Sequence, residues 1–131
     1  MDVVSDKMII EEIKKVLKEN EKKKIIFSPE PEAIYYIWLE KDMLTFTSDN
    51  QDYLMAFKLE KAMEMLHKKF NLHNFNISIH LHPGNLSEDH ISDKDVSFNI
   101  KDHEIDKVAE IIKFIMENFY LVKSWKYFVI K

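Results

Sequence analysis

Arginine and cysteine are absent from the 131 residues, glycine occurs once, at Gly84, and all nineteen cationic side chains are lysine. Without arginine there is no planar guanidinium fork to grip a phosphate, a carboxylate or a guanine edge at two points, and a lysine ammonium replaces only its charge. Sequence-specific reading of nucleic acid loses support. A single glycine cannot build a Walker loop or a dinucleotide fingerprint, because both need several residues whose missing side chain lets backbone amides approach phosphate. The lack of cysteine removes thiolate catalysis, cysteine-ligated zinc and disulfide staples. No apolar run approaches the roughly 20 residues of a bilayer-crossing helix; stretches such as 33–39 and 127–130 fall far short, so no membrane span is expected. No charged, apolar, small-residue leader opens the sequence, which makes the cytoplasm the expected compartment. A formal charge of -4 opposes attraction to polyanions, and no nucleic-acid partner is expected. The abundance of Lys, Ile, Asn, Phe and Tyr beside scarce Arg and Gly is what an AT-rich genome is expected to produce.

A chain of this length is expected to form one domain, residues 1–131, around a single core. Ile9, Ile10, Ile13, Val16 and Leu17 recur at helical spacing behind Ser5 and Asp6, which predicts a capped helix over 6–20 with Lys22, Lys23 and Lys24 at its end. Residues 24–28 read as an edge strand stopped by Pro29 and Pro31. Residues 33–39 and 43–47 read as a hairpin across Lys41 and Asp42, with Glu40 facing Met43. That register puts Tyr35, Ile37, Leu39, Leu44 and Phe46 on a core side and Tyr36, Trp38, Thr45 and Thr47 on the other.

Ser48, Asp49 and Asn50 offer caps for a helix over 52–70, whose stripe is Met55, Leu59, Ala62, Met63, Leu66 and Phe70. Phe75, Ile77, Ile79 and Leu81 then alternate with Asn76, Ser78, His80 and His82, the period of a strand with one buried face. Residues 83–95 read as an exposed loop, and strand pattern returns at Val96, Phe98 and Ile100. Asp102 is the expected cap of a helix over 104–118, and Trp125, Tyr127 and Val129 alternate in a terminal strand docked in the sheet.

The order helix, strand, hairpin, helix, two strands, helix, strand predicts an α+β fold. Its mainly antiparallel sheet has five or six strands, with about three helices packed over it. This order resembles that of small secretion-chaperone-like folds, which bind segments of a partner protein, although the terminal strand departs from that pattern. The resemblance is one of fold alone.

Two clusters could carry function. His80 and His82 stand two apart on a strand, so both imidazoles can face one metal, with Glu88 or His90 from the following loop as a third ligand and an open position for water. Against this stands the plainer reading of histidines on a solvated sheet face. Ser78 beside His80 lacks the strained turn and oxyanion hole of an acyl-transfer nucleophile. Paired acids at Glu11/Glu12 and Asp93/Asp95 lack an apolar enclosure to separate their pKa values. His67 and His73 suit a helix C-terminus. The second cluster is the hairpin face of Tyr36, Trp38, Thr45 and Thr47, whose broad amphipathic rings supply contact area at low entropic cost. The plainer reading there is that the first helix or the proline-rich segment covers the rings within the monomer.

The leading expectation is a non-catalytic, cytoplasmic, protein-binding module of the adaptor, small-chaperone or inhibitor kind, using the aromatic sheet surface or the acidic 83–95 loop, with no cofactor, and with a homodimer compatible with an exposed sheet edge. The alternative is a divalent-metal-dependent enzyme centred on His80 and His82.

Overall fold

Apolar residues three and four apart must share a helix face, and here each such stripe turns toward a common sheet. The computed structural model describes residues 2–4, 9–28, 36–49, 58–81 and 91–130; for residues 2–4, 49, 80, 81 and 91–93 it describes the backbone alone. Helix α1 (Ile10–Glu19) buries Ile13, Val16 and Leu17, α2 (Leu59–Phe70) buries Leu59, Ala62, Leu66 and Phe70, and α3 (Ile105–Phe114) buries Val108, Ala109, Ile111 and Ile112. Lys14 of α1 bridges Glu11 at 3.2 Å and Asp106 of α3 at 3.3 Å. Hydrogen bonds to Glu11 and then Asp106 raise its pKa above the ordinary lysine value.

The expected caps are corrected. The residues preceding the three helices are Ile9, Lys58 and Glu104, all extended and none making a side-chain cap hydrogen bond; Asp102 does not cap α3, and Ser5, Asp6 and Asn50 lie outside the described residues. Helix α2 starts at Leu59, and the part expected over 52–57 lies outside the described residues. A cap contributes only about 1 kcal/mol. Burial of Leu59 and Val108 on their stripes outweighs it.

Seven strands make one sheet: β1 (Asp2–Val4), β2 (Lys24–Ser28), β3 (Ile37–Glu40), β4 (Met43–Asp49), β5 (Asn76–Leu81), β6 (Ile91–Asn99) and β7 (Lys126–Ile130), in the spatial order β1-β7-β2-β3-β4-β6-β5. Every pairing is antiparallel. The fold is α+β with the expected order of elements, preceded by the short β1, for which the sequence held no signal. One contiguous core joins the buried stripes of all three helices to Ile25, Phe27, Ile37, Leu44, Phe46, Val96, Phe98 and Trp125. In register these strand residues share a single face, so the three helices lie on one side of the sheet.

Three expectations change with the topology. Strand β2 is interior, paired with both β7 and β3, and not an edge, because the terminal strand β7 inserts beside it; Pro29 and Pro31 lie outside the described residues. Strand β6 begins at Ile91, so 91–95 belong to the sheet and not to an exposed loop. Pairing to β4 and β5 on both sides supplies what the polar residues 92–95 lack in intrinsic preference. The edges are instead β1 and β5, and on β5 Ile77 and Ile79, expected in the core, are 47% and 56% exposed. An edge strand has a neighbour on one side only, which leaves its side chains uncovered on the other.

The β3–β4 hairpin has the predicted register, Glu40 opposite Met43. Its two-residue turn needs a left-handed residue, and Lys41 takes that role at φ 57°. A Cβ in this region costs roughly 1–2 kcal/mol, part of which glycine returns through its freer unfolded chain. Lys41→Gly is accordingly expected to raise stability by up to about 1 kcal/mol; a lower urea midpoint at unchanged slope would contradict the strain assigned to this turn.

Candidate functional site

Because antiparallel neighbours directly opposite one another share a face, the registers define one row across the whole sheet on the side away from the helices: Val3, Phe128, Ile26, Trp38, Thr45, Ser97, Asn76. Among the described residues no helix packs on this side. Tyr36 stacks on Trp38 with ring centroids 5.3 Å apart and planes tilted by 35°. The Lys24 ammonium lies 5.2 Å from the centroid of the Trp38 ring, a cation–π distance. Both rings are half-buried.

Thr45 and Thr47, expected beside the rings as contact residues, are only 4% and 3% exposed. Their hydroxyls are used inside the chain. Thr45 Oγ1 and Ser97 Oγ are 2.8 Å apart, joining β4 to β6. Thr47 Oγ1 accepts from the Tyr36 N–H at 2.9 Å and donates to its carbonyl at 3.3 Å. The threonines therefore brace the strands under the rings and present little surface themselves.

A second brace comes from the helix side. Helix α3 widens into a π-helical turn, η1 (Ile115–Phe119), closed by Tyr120 N–H donating to Ile115 O at 3.2 Å. This carries Tyr120, 5% exposed, to the end of the hairpin, where its hydroxyl donates to Thr47 O and lies 3.4 Å from Tyr36 O. The apolar stripe of 105–119 fits a plain α-helix equally well, so the wider turn and the role of Tyr120 left no mark in the sequence. Turns of this kind recur at functional sites.

No protein-family model matches this chain, and comparisons with curated proteins and with solved structures give no match. Local chemistry must supply the functional reading.

His80 stands on β5 opposite Asp93 of β6, and the register skips Ser92 between His80 and Leu81, a bulge that bends the strand pair there. The side chain of His80 is outside the description, as are His82, Glu88 and His90 altogether. Among the described residues, no group of three or more His, Asp or Glu is placed to hold a metal. His67 and His73 sit at the end of α2 as expected: His67 Nδ1–H donates to Leu72 O at 2.8 Å, and the two rings meet edge to face at 6.4 Å. Beside them a cleft of about 390 Å³ of mixed polarity is lined by Phe70, Asn71, Leu72, His73, Asn74, Asn99, Asp102 and His103. His103 Nδ1 is buried there with no hydrogen-bond partner among the described residues.

The two tryptophans report on these surfaces separately, since Trp125 is 1% exposed in the core and Trp38 is half-buried on the open side. Acrylamide is expected to quench one of two emitting populations, and Trp38→Phe to remove that population. Uniform resistance of both tryptophans would show that Trp38 is covered.

Proposed function

We propose that this chain is a non-catalytic module, acting in the cytoplasm, that binds another protein through the sheet face opposite the helices. Its role would be that of an adaptor, a small chaperone or an inhibitor. Tyr36 and Trp38 are the contact rings, Lys24 and Ile26 flank them, and Thr45 and Thr47 hold the strands beneath. The observation that carries this reading is the division of labour between the two faces. Helices fill one face, while the other bears a stacked aromatic pair over hydroxyls already satisfied within the chain, so partner binding there strands no buried polar group.

Aromatic anchors of this kind dominate binding energy, and truncating one costs 2 kcal/mol or more, roughly a thirtyfold loss of affinity. With a partner isolated on the wild-type chain, calorimetry of the purified pair is expected to show such a loss for Tyr36→Ser and Trp38→Ser, and none for Leu121→Asn on an exposed loop. If both ring variants keep their melting temperature and bind with undiminished affinity, the surface is not the binding site.

A second reading has one observation in its favour, the register that sets His80 opposite Asp93. It is a divalent-metal enzyme with His80 and His82 as ligands, Glu88 or His90 as the third, and bound water as nucleophile. Protein purified without a metal-binding tag would then carry close to one equivalent of metal, lost on replacing both histidines with alanine. Metal-free protein after incubation with zinc and dialysis rules the reading out.

A further inference from the structure

Strand β5 ends the sheet, and its outer side has no strand neighbour among the described residues. Sheet edges in proteins are ordinarily guarded by a charge, a proline or a bulge in the strand that faces out. Asn76, Ile77, Ser78 and Ile79 carry none of these. The bulge near this end sits between β5 and β6, at His80/Leu81, and leaves the outward backbone of 76–79 regular. Ile77 and Ile79, 47% and 56% exposed, stand on the helix side of the sheet. There they line a cleft of about 390 Å³ with Leu59 and Met63 of α2, and with Lys58, Glu60 and Lys94 at its rim. A regular, uncharged edge with an apolar groove on one face is a template for another strand.

The pattern of β5 selects a second copy of the same chain as that strand. We infer that two chains pair antiparallel through β5 about a two-fold axis perpendicular to the sheet at Ser78. In antiparallel pairing, residues directly opposite share a face. Centred on Ser78, the register sets Ile77 against Ile79 of the partner and Ile79 against the partner's Ile77, while Asn76 meets the partner's His80. All four isoleucines then close into one apolar patch on the helix side, and the polar residues meet on the other. A centre one residue away, at Ile77 or Ile79, pairs one isoleucine with itself and sets the next opposite Phe75 or Leu81. It gathers the four isoleucines less closely. The contact is isologous and closed, so it ends at a dimer with a continuous sheet and does not propagate into a fibre.

The sequence makes the test direct, for it has no cysteine of its own. At the two-fold, facing Ser78 residues place their Cα atoms about 4.5–5.5 Å apart, within the range a disulfide spans. The two Asn76 positions are offset by four residues along the strands, roughly 14 Å. The full chain at about 100 μM, a hundredfold above a micromolar Kd, is expected to sediment at twice its monomer mass. Under mild oxidation Ser78→Cys should cross-link at least tenfold faster than Asn76→Cys. Ile79→Glu, whose carboxylate can pair with neighbouring Lys94 in the monomer but faces Ile77 across the dimer, should sediment as a monomer with its circular dichroism unchanged. A monomeric wild type overturns the inference, as does cross-linking at Asn76 equal to that at Ser78. A folded Ile79→Glu variant that still dimerises places the contact elsewhere and overturns it too.

Discussion

A chain of aromatic rings ties this fold together, and most other features follow from where it runs. Phe75 meets Phe98 at 5.5 Å, Phe98 meets Phe46 at 6.4 Å, Phe46 meets Phe119 at 5.9 Å, Phe119 meets Phe114 at 5.5 Å and Phe114 meets Phe70 at 5.4 Å. These tilted and edge-on contacts lie in the separation range that aromatic pairs prefer, and each ring buries a large apolar area as well. The run starts near the β5 edge, crosses β6 and β4, and ends between α3 and α2. A second group, Phe27 with Trp125 and Tyr127, does the same for the β2–β7 half. Both groups lie on one side of the sheet. The helices are drawn to that side, and the opposite face carries Val3, Ile26 and a buried Phe128 beside the Tyr36–Trp38 pair and the hydroxyls of Thr45 and Ser97.

Two polar braces link this dry layer to the open face. The Thr45–Ser97 contact closes the β4–β6 seam from outside, and the Tyr120 hydroxyl reaches the Thr47 carbonyl from within. Tyr120 arrives there because η1 widens the end of α3 by one residue per turn, which also turns Phe119 onto Phe46. The rings proposed to bind a partner are thus held by strands fixed from both sides. That arrangement keeps the ordering cost of binding low.

How far the sequence revealed this differs from element to element. The stripe of Ile13, Val16 and Leu17, the hairpin register at Glu40 and Met43, and the strand of alternating residues before Leu81 were all legible, because period and turn position are local properties. Helix starts were not, since packing outweighed capping preferences at Ile9, Lys58 and Glu104. The polar half of β6 was misread for a related reason: residues 92–95 have no strand pattern and take their conformation from β4 and β5. The placement of Tyr36 and Trp38 on one face was legible from their alternation. The burial of Thr45 and Thr47 depended on partners 52 and 11 residues away.

The sequence by itself determined the α+β class, the order of elements and the faces of most strands, because each rests on side chains a few residues apart. The absence of arginine and cysteine and the single glycine also left the chain without a guanidinium fork, a thiolate or a glycine-rich phosphate loop. Only the tertiary structure decided which strands are edges. Strand β7 returns from the end of the chain to separate β1 from β2, and β5 is left outermost, so Ile77 and Ile79 meet water although their pattern is that of a core strand. Strand order depends on long-range closure among distant segments, and no local period encodes it.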